Sequence, residues 1–254
     1  MIIDAHIHVG SWTHADFLGR QTTLDETLAM LAKSGIGGAA LTESDKCEHD
    51  LLRDAMKRAI ANGRPEQMWL FPWIRIEEAG AADLAWTRAH LDDVTGLKIH
   101  PSLSRKRITD DAFRPALELA AERNLVVLLH CGRWQEIAGY TRALDAAQAW
   151  STVRFLFAHA GGDTPPNATN AAAGVAERGL TNVWFEFSGL REYWVVERNV
   201  AKIGAGRYLM GSDWPLAHPK MYLGAIDGME LPEADKKKIL GENAARLFGR
   251  PISA

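Results

Sequence analysis

Cysteine is scarce in this chain: Cys47 and Cys131 are the only two in 254 residues. That count excludes a disulfide framework, and a reducing cytosol is the expected compartment. Long apolar runs are missing as well, since none approaches the ~18 consecutive residues that a membrane span needs. The first ten residues carry no basic segment, and Asp4, His6 and His8 break their apolar character. No secretory signal is therefore expected in the sequence as given, and no membrane partner. Neither sign of charge dominates: 29 Lys and Arg face 32 Asp and Glu, a net charge of −3. Such a balance gives no electrostatic reason to bind nucleic acid or an anionic surface. No linker rich in Pro, Gly or Ser divides the chain, and no glycine-rich phosphate loop follows the first apolar run, which argues against an open nucleotide-binding sheet.

What is present is an alternation. Short apolar runs at 2–8, 38–42, 69–75, 96–100, 126–130, 154–159, 183–187 and 208–213 read as strands. Amphipathic stretches lie between them, among them 23–33, 51–61, 81–91 and 111–123. Strands alternating with helices predict parallel pairing through crossover helices. Eight such units in a chain of this length predict an α/β fold of a single domain over residues 1–254, a (β/α)8 TIM barrel. Local signals support the helix boundaries. Thr23-Leu24-Asp25-Glu26 has the form of a capping box, Asp111 is the expected cap of the next-but-two helix, and Asn124 is its expected stop.

The ends of these runs hold the chemistry. Asp4-Ala5-His6-Ile7-His8 closes the first, and residues i and i+2 of a strand face the same side, so His6 and His8 point together. Lys98 and His100 close the fourth run, His130 the fifth, His159-Ala160-Gly161-Gly162 the sixth and Gly211-Ser212-Asp213-Trp214-Pro215 the eighth. In a parallel barrel all of these ends open on one face, where active sites of this fold lie. His6, His8, His100, His130 and His159 are five of the nine histidines, a bias that accidental placement does not explain.

In this order the motifs resemble the amidohydrolase superfamily, in particular its amidohydrolase-2 branch, along the chain from Asp4-x-His6-x-His8 to Asp213-Trp214-Pro215. The resemblance implies one divalent metal ion, zinc or alternatively manganese, held by His6, His8, His130 and Asp213. It gives His159 a role beside the metal in activating water or contacting substrate, and makes Asp213 and His159 the catalytic pair. Lys98 matches a position that some relatives carboxylate to bridge two metals; the closer likeness to the amidohydrolase-2 branch favours one metal, with Lys98 binding substrate or pairing with an inward-facing Glu186. His100, Arg133 and Trp214 complete the expected substrate-binding set. Trp12 and Trp134 are further candidates for an aromatic wall, and Arg75 for a hand on a substrate carboxylate. Cys131 points away from His130 and has no assigned role. His14, His49, His90 and His218 lack motif context and are expected at the surface, with His218 the nearest of them to substrate.

A bound divalent ion lowers the pKa of its water toward neutrality. The expected reaction is thus hydrolysis of a small ester, lactone or amide, its substrate a small molecule carrying a carboxylate. The alternatives are non-oxidative decarboxylation of an aromatic or enol-type acid, which the same branch includes, and a non-catalytic metal-binding barrel. Self-association into a homo-oligomer is left open.

Overall fold

The computed structural model describes residues 1–64, 67–132 and 135–253. Eight parallel strands carry the fold: β1 (Ile3–Ser11), β3 (Gly38–Glu43), β4 (Gln67–Leu70), β5 (Gly96–Ile99), β6 (Val126–Leu129), β7 (Arg154–Phe157), β8 (Val183–Glu186) and β9 (Tyr208–Leu209). The two-residue β2 (Gln21–Thr22) pairs antiparallel with the end of β1. Helices follow the strands in turn: α1 (Leu24–Ser34), α2 (His49–Ala61), α3 (Glu77–Ala89), α4 (Pro101–Ser104), α5 (Arg114–Arg123), α6 (Gln135–Ala138), α7 (Tyr140–Ala149), α8 (Pro165–Glu177), α9 (Trp194–Ile203) and α10 (Pro219–Gly228). The short α11 (Glu233–Lys237) and α12 (Asn243–Phe248) end the chain's regular structure.

The strands form two ladders, β2-β1-β3-β4 and β5-β6-β7-β8-β9. Backbone hydrogen bonds join them at both seams. Ile74 N donates to Lys98 O and Lys98 N to Pro72 O, while Ala5 N donates to Met210 O and Asp213 N to His6 O. The result is a (β/α)8 barrel, as the alternation predicts. One apolar layer lies between strands and helices, with Leu97, Ile99, Phe155, Val183 and Phe185 facing outward into it. A second fills the barrel from Ile3, Ala5, Phe71, Leu128, Leu156 and Leu209, closed below by Leu247 and Phe248 of α12. No described helix is long and apolar enough to cross a membrane.

The helix boundaries follow local chemistry. Thr23 and Glu26 exchange backbone and side-chain hydrogen bonds in the predicted capping box, and Asn124 ends α5 in the left-handed conformation that Asn tolerates. Asp111 does not cap α5: a 3-10 turn occupies 111–113, and the Asp111 carboxylate pairs with Arg114 instead. Pro115 accordingly falls in the first turn of α5, where its missing N–H costs nothing.

Three strands stop two or more residues short of their expected ends. Pro72 has no N–H for a ladder, so β4 ends at Leu70 and resumes only as an isolated bridge from Trp73 to Lys98. After β7, His159 and Ala160 turn left-handed, and after β9 Asp213 does the same. These breaks tilt the terminal side chains out of the ladder and into the mouth of the barrel.

Candidate metal centre

The first strand sets the site by a change of phase. Ile3 and Ala5 face the barrel interior, so strict alternation would send His6 outward with Asp4. The register between β1 and β3 shifts between Asp4 and Ile7. That extra residue puts Ile7 in the outer layer and turns His6 and His8 together into the barrel mouth. Their Nε2 atoms stand 3.1 Å apart.

Asp213 comes to the same point from the other side of the seam. Its Oδ1 lies 3.5 Å from His6 Nε2 and 3.3 Å from His8 Nε2. Among the described residues these three form the one group whose ligand atoms all lie within 4.8 Å of each other. Asp213 has φ 60, as His159 and Ala160 have φ 56 and 55. Left-handed backbone at such residues costs on the order of 1–3 kcal/mol each and persists where surrounding bonds enforce it. Here Asp4 supplies one: its Oδ1 accepts from Ser212 N at 2.9 Å and His6 N at 3.2 Å. Burial pushes the Asp4 carboxyl up to about 7.

Second partners fix the imidazoles. His6 Nδ1 donates to Glu186 at 2.9 Å and His8 Nδ1 to the Glu43 carbonyl at 2.7 Å. With Nδ1–H committed, a neutral ring presents its Nε2 lone pair to the centre. Burial, and then the charge of Lys98, hold His6 well below its usual pKa, so it is neutral. Two facing lone pairs beside a carboxylate make a cradle that repels itself and is relieved by a cation; a single divalent metal fits it.

Glu186 organises the floor. Besides His6 it accepts from Ser188 Oγ at 2.9 Å, Ser188 N at 2.7 Å and His159 N at 3.1 Å. Its inward direction is as expected, but its direct partner is His6 and not Lys98. A Cβ on Gly211 would sit 2.3 Å from Glu186 Oε2, so the close approach of the eighth-strand loop requires glycine there. Lys98 Nζ donates to His6 Nε2 at 3.0 Å, and burial lowers its pKa to about 8.

His130 stands apart from the three-residue group. Its ring stacks on His100 at 3.7 Å with an interplanar angle of 13°, and His100 stacks on Trp73 at 4°. His130 Nδ1 meets His159 Nε2 at 3.1 Å, while His159 Nδ1 is tied to the Ser188 carbonyl at 2.9 Å. His130 Nε2 is buried with no partner in the protein. An orphaned imidazole nitrogen in a polar cavity is what a metal or substrate would satisfy. Burial and the neighbouring His100 hold this ring neutral.

Above the cradle lies a cavity of about 270 Å³, walled by Trp12, Phe17, Leu103, Leu216, Ala217 and Tyr222, with Lys98, His100, His130 and His159 lower down. Trp214 is not among its lining residues; the indole turns to Thr27 of α1, donating to Oγ1 at 3.3 Å. Arg133 and Trp134 lie outside the described residues. Arg75 does not reach the cavity, because Asp83 of α3 holds its guanidinium through both Nε and Nη2. Cys131 is buried in the outer layer, as expected.

The remaining histidines correct the sequence reading in part. His49 is buried, 7% exposed, between Glu43 and Asp83, and its helix pattern gave no sign of those partners. His14 lines the cavity mouth. His90 is half-buried on the Trp86 carbonyl. His218 is exposed and caps α10. Ser102, Ser188, Glu43 and Tyr222 were missed. The signal for Ser188 was its i+2 relation to Glu186, and for Glu43 an acid closing an apolar run.

Histidines and an aspartate converging at the carboxyl ends of parallel barrel strands define the class of metal-dependent barrel proteins. Within that class the chain belongs to the amidohydrolase family (Amidohydro_2), whose sequence pattern matches residues 3–250. No curated protein matches the sequence significantly. Solved structures share the fold over nearly the whole chain. A 5-carboxyvanillate decarboxylase from Sphingomonas paucimobilis is 15% identical, with a TM-score of 0.72 over 97% of this chain and 98% of its own. A dihydroxybenzoic acid decarboxylase from Polaromonas, with bound manganese and the inhibitor 2-nitroresorcinol, is 15% identical, with a TM-score of 0.74 over 97% and 96%. An amidohydrolase from Burkholderia multivorans with bound zinc is 18% identical, with a TM-score of 0.69 over 99% and 100%.

Proposed function

We propose that this protein is a metal-dependent, non-oxidative decarboxylase of a small aromatic carboxylic acid. The observation that carries the reading is a cradle of His6, His8 and Asp213 at the floor of a small cavity lined by the rings of Trp12, Phe17, His100 and His130, the last two stacked nearly parallel. A ring-walled cavity of that size suits one planar ring. The resemblance to whole-chain relatives named as decarboxylases of aromatic acids supports the same direction, and moves it ahead of the ester, lactone or amide hydrolysis expected from sequence.

His6, His8 and Asp213 would hold the ion, with His130 Nε2 available as a fourth ligand. Zinc or manganese suits imidazole and carboxylate donors. Bound there, the ion would supply positive charge to offset the negative charge of the substrate. The chain's own groups do the rest. Lys98 neutralises further negative charge at the floor, and the surrounding rings hold the substrate plane. His159, oriented by Ser188 and backed by His130, delivers a solvent-derived proton to the ring carbon that bears the carboxylate. The bond from that carbon to the carboxyl carbon then breaks. Its electron pair restores the aromatic ring, and carbon dioxide leaves. Arg133, outside the described residues, remains a candidate for the substrate's outer edge. Two unpaired buried cysteines support a reducing compartment such as the cytosol.

One observation favours hydrolysis as a second reading. Asp213 is held ionised beside both imidazoles, placed to accept a proton from an attacking water. The experiment that separates the readings supplies protein loaded with zinc or manganese with hydroxybenzoates, lactones and esters. Carbon dioxide release from an aromatic acid is the expected result. Acid release from a lactone or ester without carbon dioxide would replace the proposal with the hydrolase. No turnover on either set would favour a non-catalytic metal barrel.

A further inference from the structure

Among the described residues, Trp12 Nε1 and Ser102 Oγ are buried and have no hydrogen-bond partner in the protein, and both residues line the cavity above the cradle. Trp12 is 4% exposed and Ser102 3%. A buried donor left unpaired is expensive, and native proteins leave few. Other orphaned groups, such as Thr42 and Tyr208, lie away from this cavity.

The two residues belong to one continuous wall. The Trp12 ring meets His8 at 4.7 Å and Trp73 at 5.8 Å, and Trp73 stacks on His100 at 5.3 Å. Ser102 follows two residues later, in the first turn of α4. His100 adds a third donor. Its Nδ1 accepts from Leu103 N at 3.3 Å, which leaves Nε2 as the nitrogen that carries the ring hydrogen. An indole N–H can only donate. This side of the cavity therefore offers hydrogens and asks for acceptor oxygens.

We infer that Trp12 and Ser102, helped by His100, form an oxyanion subsite that binds oxygens of the substrate other than those facing the metal, and so select acids carrying a second anionic or hydroxyl oxygen. The inference rests on the reading of this cavity as a site for aromatic acids. The Trp12 ring supports packing around His8, but its N–H serves no packing purpose. Trp12→Phe removes the hydrogen and keeps an apolar ring, and Ser102→Ala removes the hydroxyl.

The test uses metal-loaded full-length protein, titrated calorimetrically with 2,6-dihydroxybenzoate and with 2-hydroxybenzoate, which lacks the second hydroxyl. Metal content is measured in every sample. In parallel, the indole ¹⁵N–¹H signal of Trp12, assigned by its loss in Trp12→Phe, is followed in wild type during the 2,6-dihydroxybenzoate titration. Hydrogen bonds to charged groups predict that each substitution weakens 2,6-dihydroxybenzoate about tenfold or more, with 2-hydroxybenzoate binding least affected and the Trp12 signal moving on saturation. Wild-type affinity in both metal-replete variants, with a static Trp12 signal, would overturn the subsite while leaving the metal site standing. Failure of metal-loaded wild type to bind any aromatic acid would overturn the proposed function and the subsite together.

Discussion

At the scale of residues, the roles of His6 and His159 separate by what each nitrogen touches. His6 turns Nε2 to the cradle and Nδ1 to Glu186, whereas His159 spends Nδ1 on Ser188 and meets His130 with Nε2. His6→Ala is expected to empty the site. His159→Ala should retain the metal and lose turnover by about 10²–10⁴-fold, the usual worth of a general acid or base. Metal stoichiometry beside rate checks the division; equal metal loss in both variants would make His159 a ligand. Glu186 belongs to the same prediction. Its carboxylate orients His6, and partners of that kind are typically worth about 10–100-fold in metal affinity. Glu186→Gln should therefore weaken metal binding by that range in a competition with chelator.

At the scale of elements, a buried ionic brace ties the end of β3 to α2 and α3. His49 Nδ1 meets Glu43 at 2.7 Å and Nε2 meets Asp83 at 3.0 Å, while Asp83 also binds Arg75. Burial alone would push His49 down, but the hydrogen bonds to Asp83 and Glu43 outweigh it and raise the imidazole to about 9. The folded value lies above the unfolded one near 6.5. The brace therefore contributes fully below about pH 6.5, and its contribution fades as pH rises through about 9. Asp83 has the opposite sign: burial raises it, Arg75 and His49 outweigh that, and it falls to about 2. Its share is present above its unfolded value near 3.9 and is lost only as pH falls through about 2. Urea unfolding of wild type and His49→Gln at pH 6 and pH 10 reads this directly. The wild-type advantage, up to about 3 kcal/mol at pH 6, should shrink strongly at the higher pH. An advantage independent of pH would mean that His49 acts by packing alone. The Glu43 carbonyl also anchors His8, so the brace connects a helix layer to the cradle.

At the scale of the molecule, the cradle straddles the seam where β1 meets the loop after β9, so an ion bound there cross-links the first and last strands. Ligand that binds only the folded state stabilises by about 2.7 kcal/mol at a hundredfold excess over its Kd. For a chain of this size that is a rise in Tm of roughly 5–10 °C. Calorimetry with added zinc or manganese and after chelator should show it. An unchanged Tm, with metal bound, would mean that the ion binds the unfolded chain as well and does not depend on the closed seam.

The sequence by itself determined the barrel and the identity of most candidate site residues. Eight apolar runs and the helices between them set the alternation, because parallel strands buried on both faces must read that way. His6, His8, His130, His159 and Asp213 were legible because each closes such a run. Only the tertiary structure decided which of them meet. The register shift in β1 turns both histidines inward, and the left-handed turn at Asp213 brings its carboxylate across the seam. Neither break carries a local sequence signal strong enough to place it. The brace at His49, the turning away of Arg75 and Trp214, and the unpaired hydrogens of Trp12 and Ser102 were equally invisible. Each depends on a partner brought in from another element, six or eight residues away for His49 and Arg75 and 187 for Trp214, or on the lack of one, and that is settled when the strands close and the helices pack.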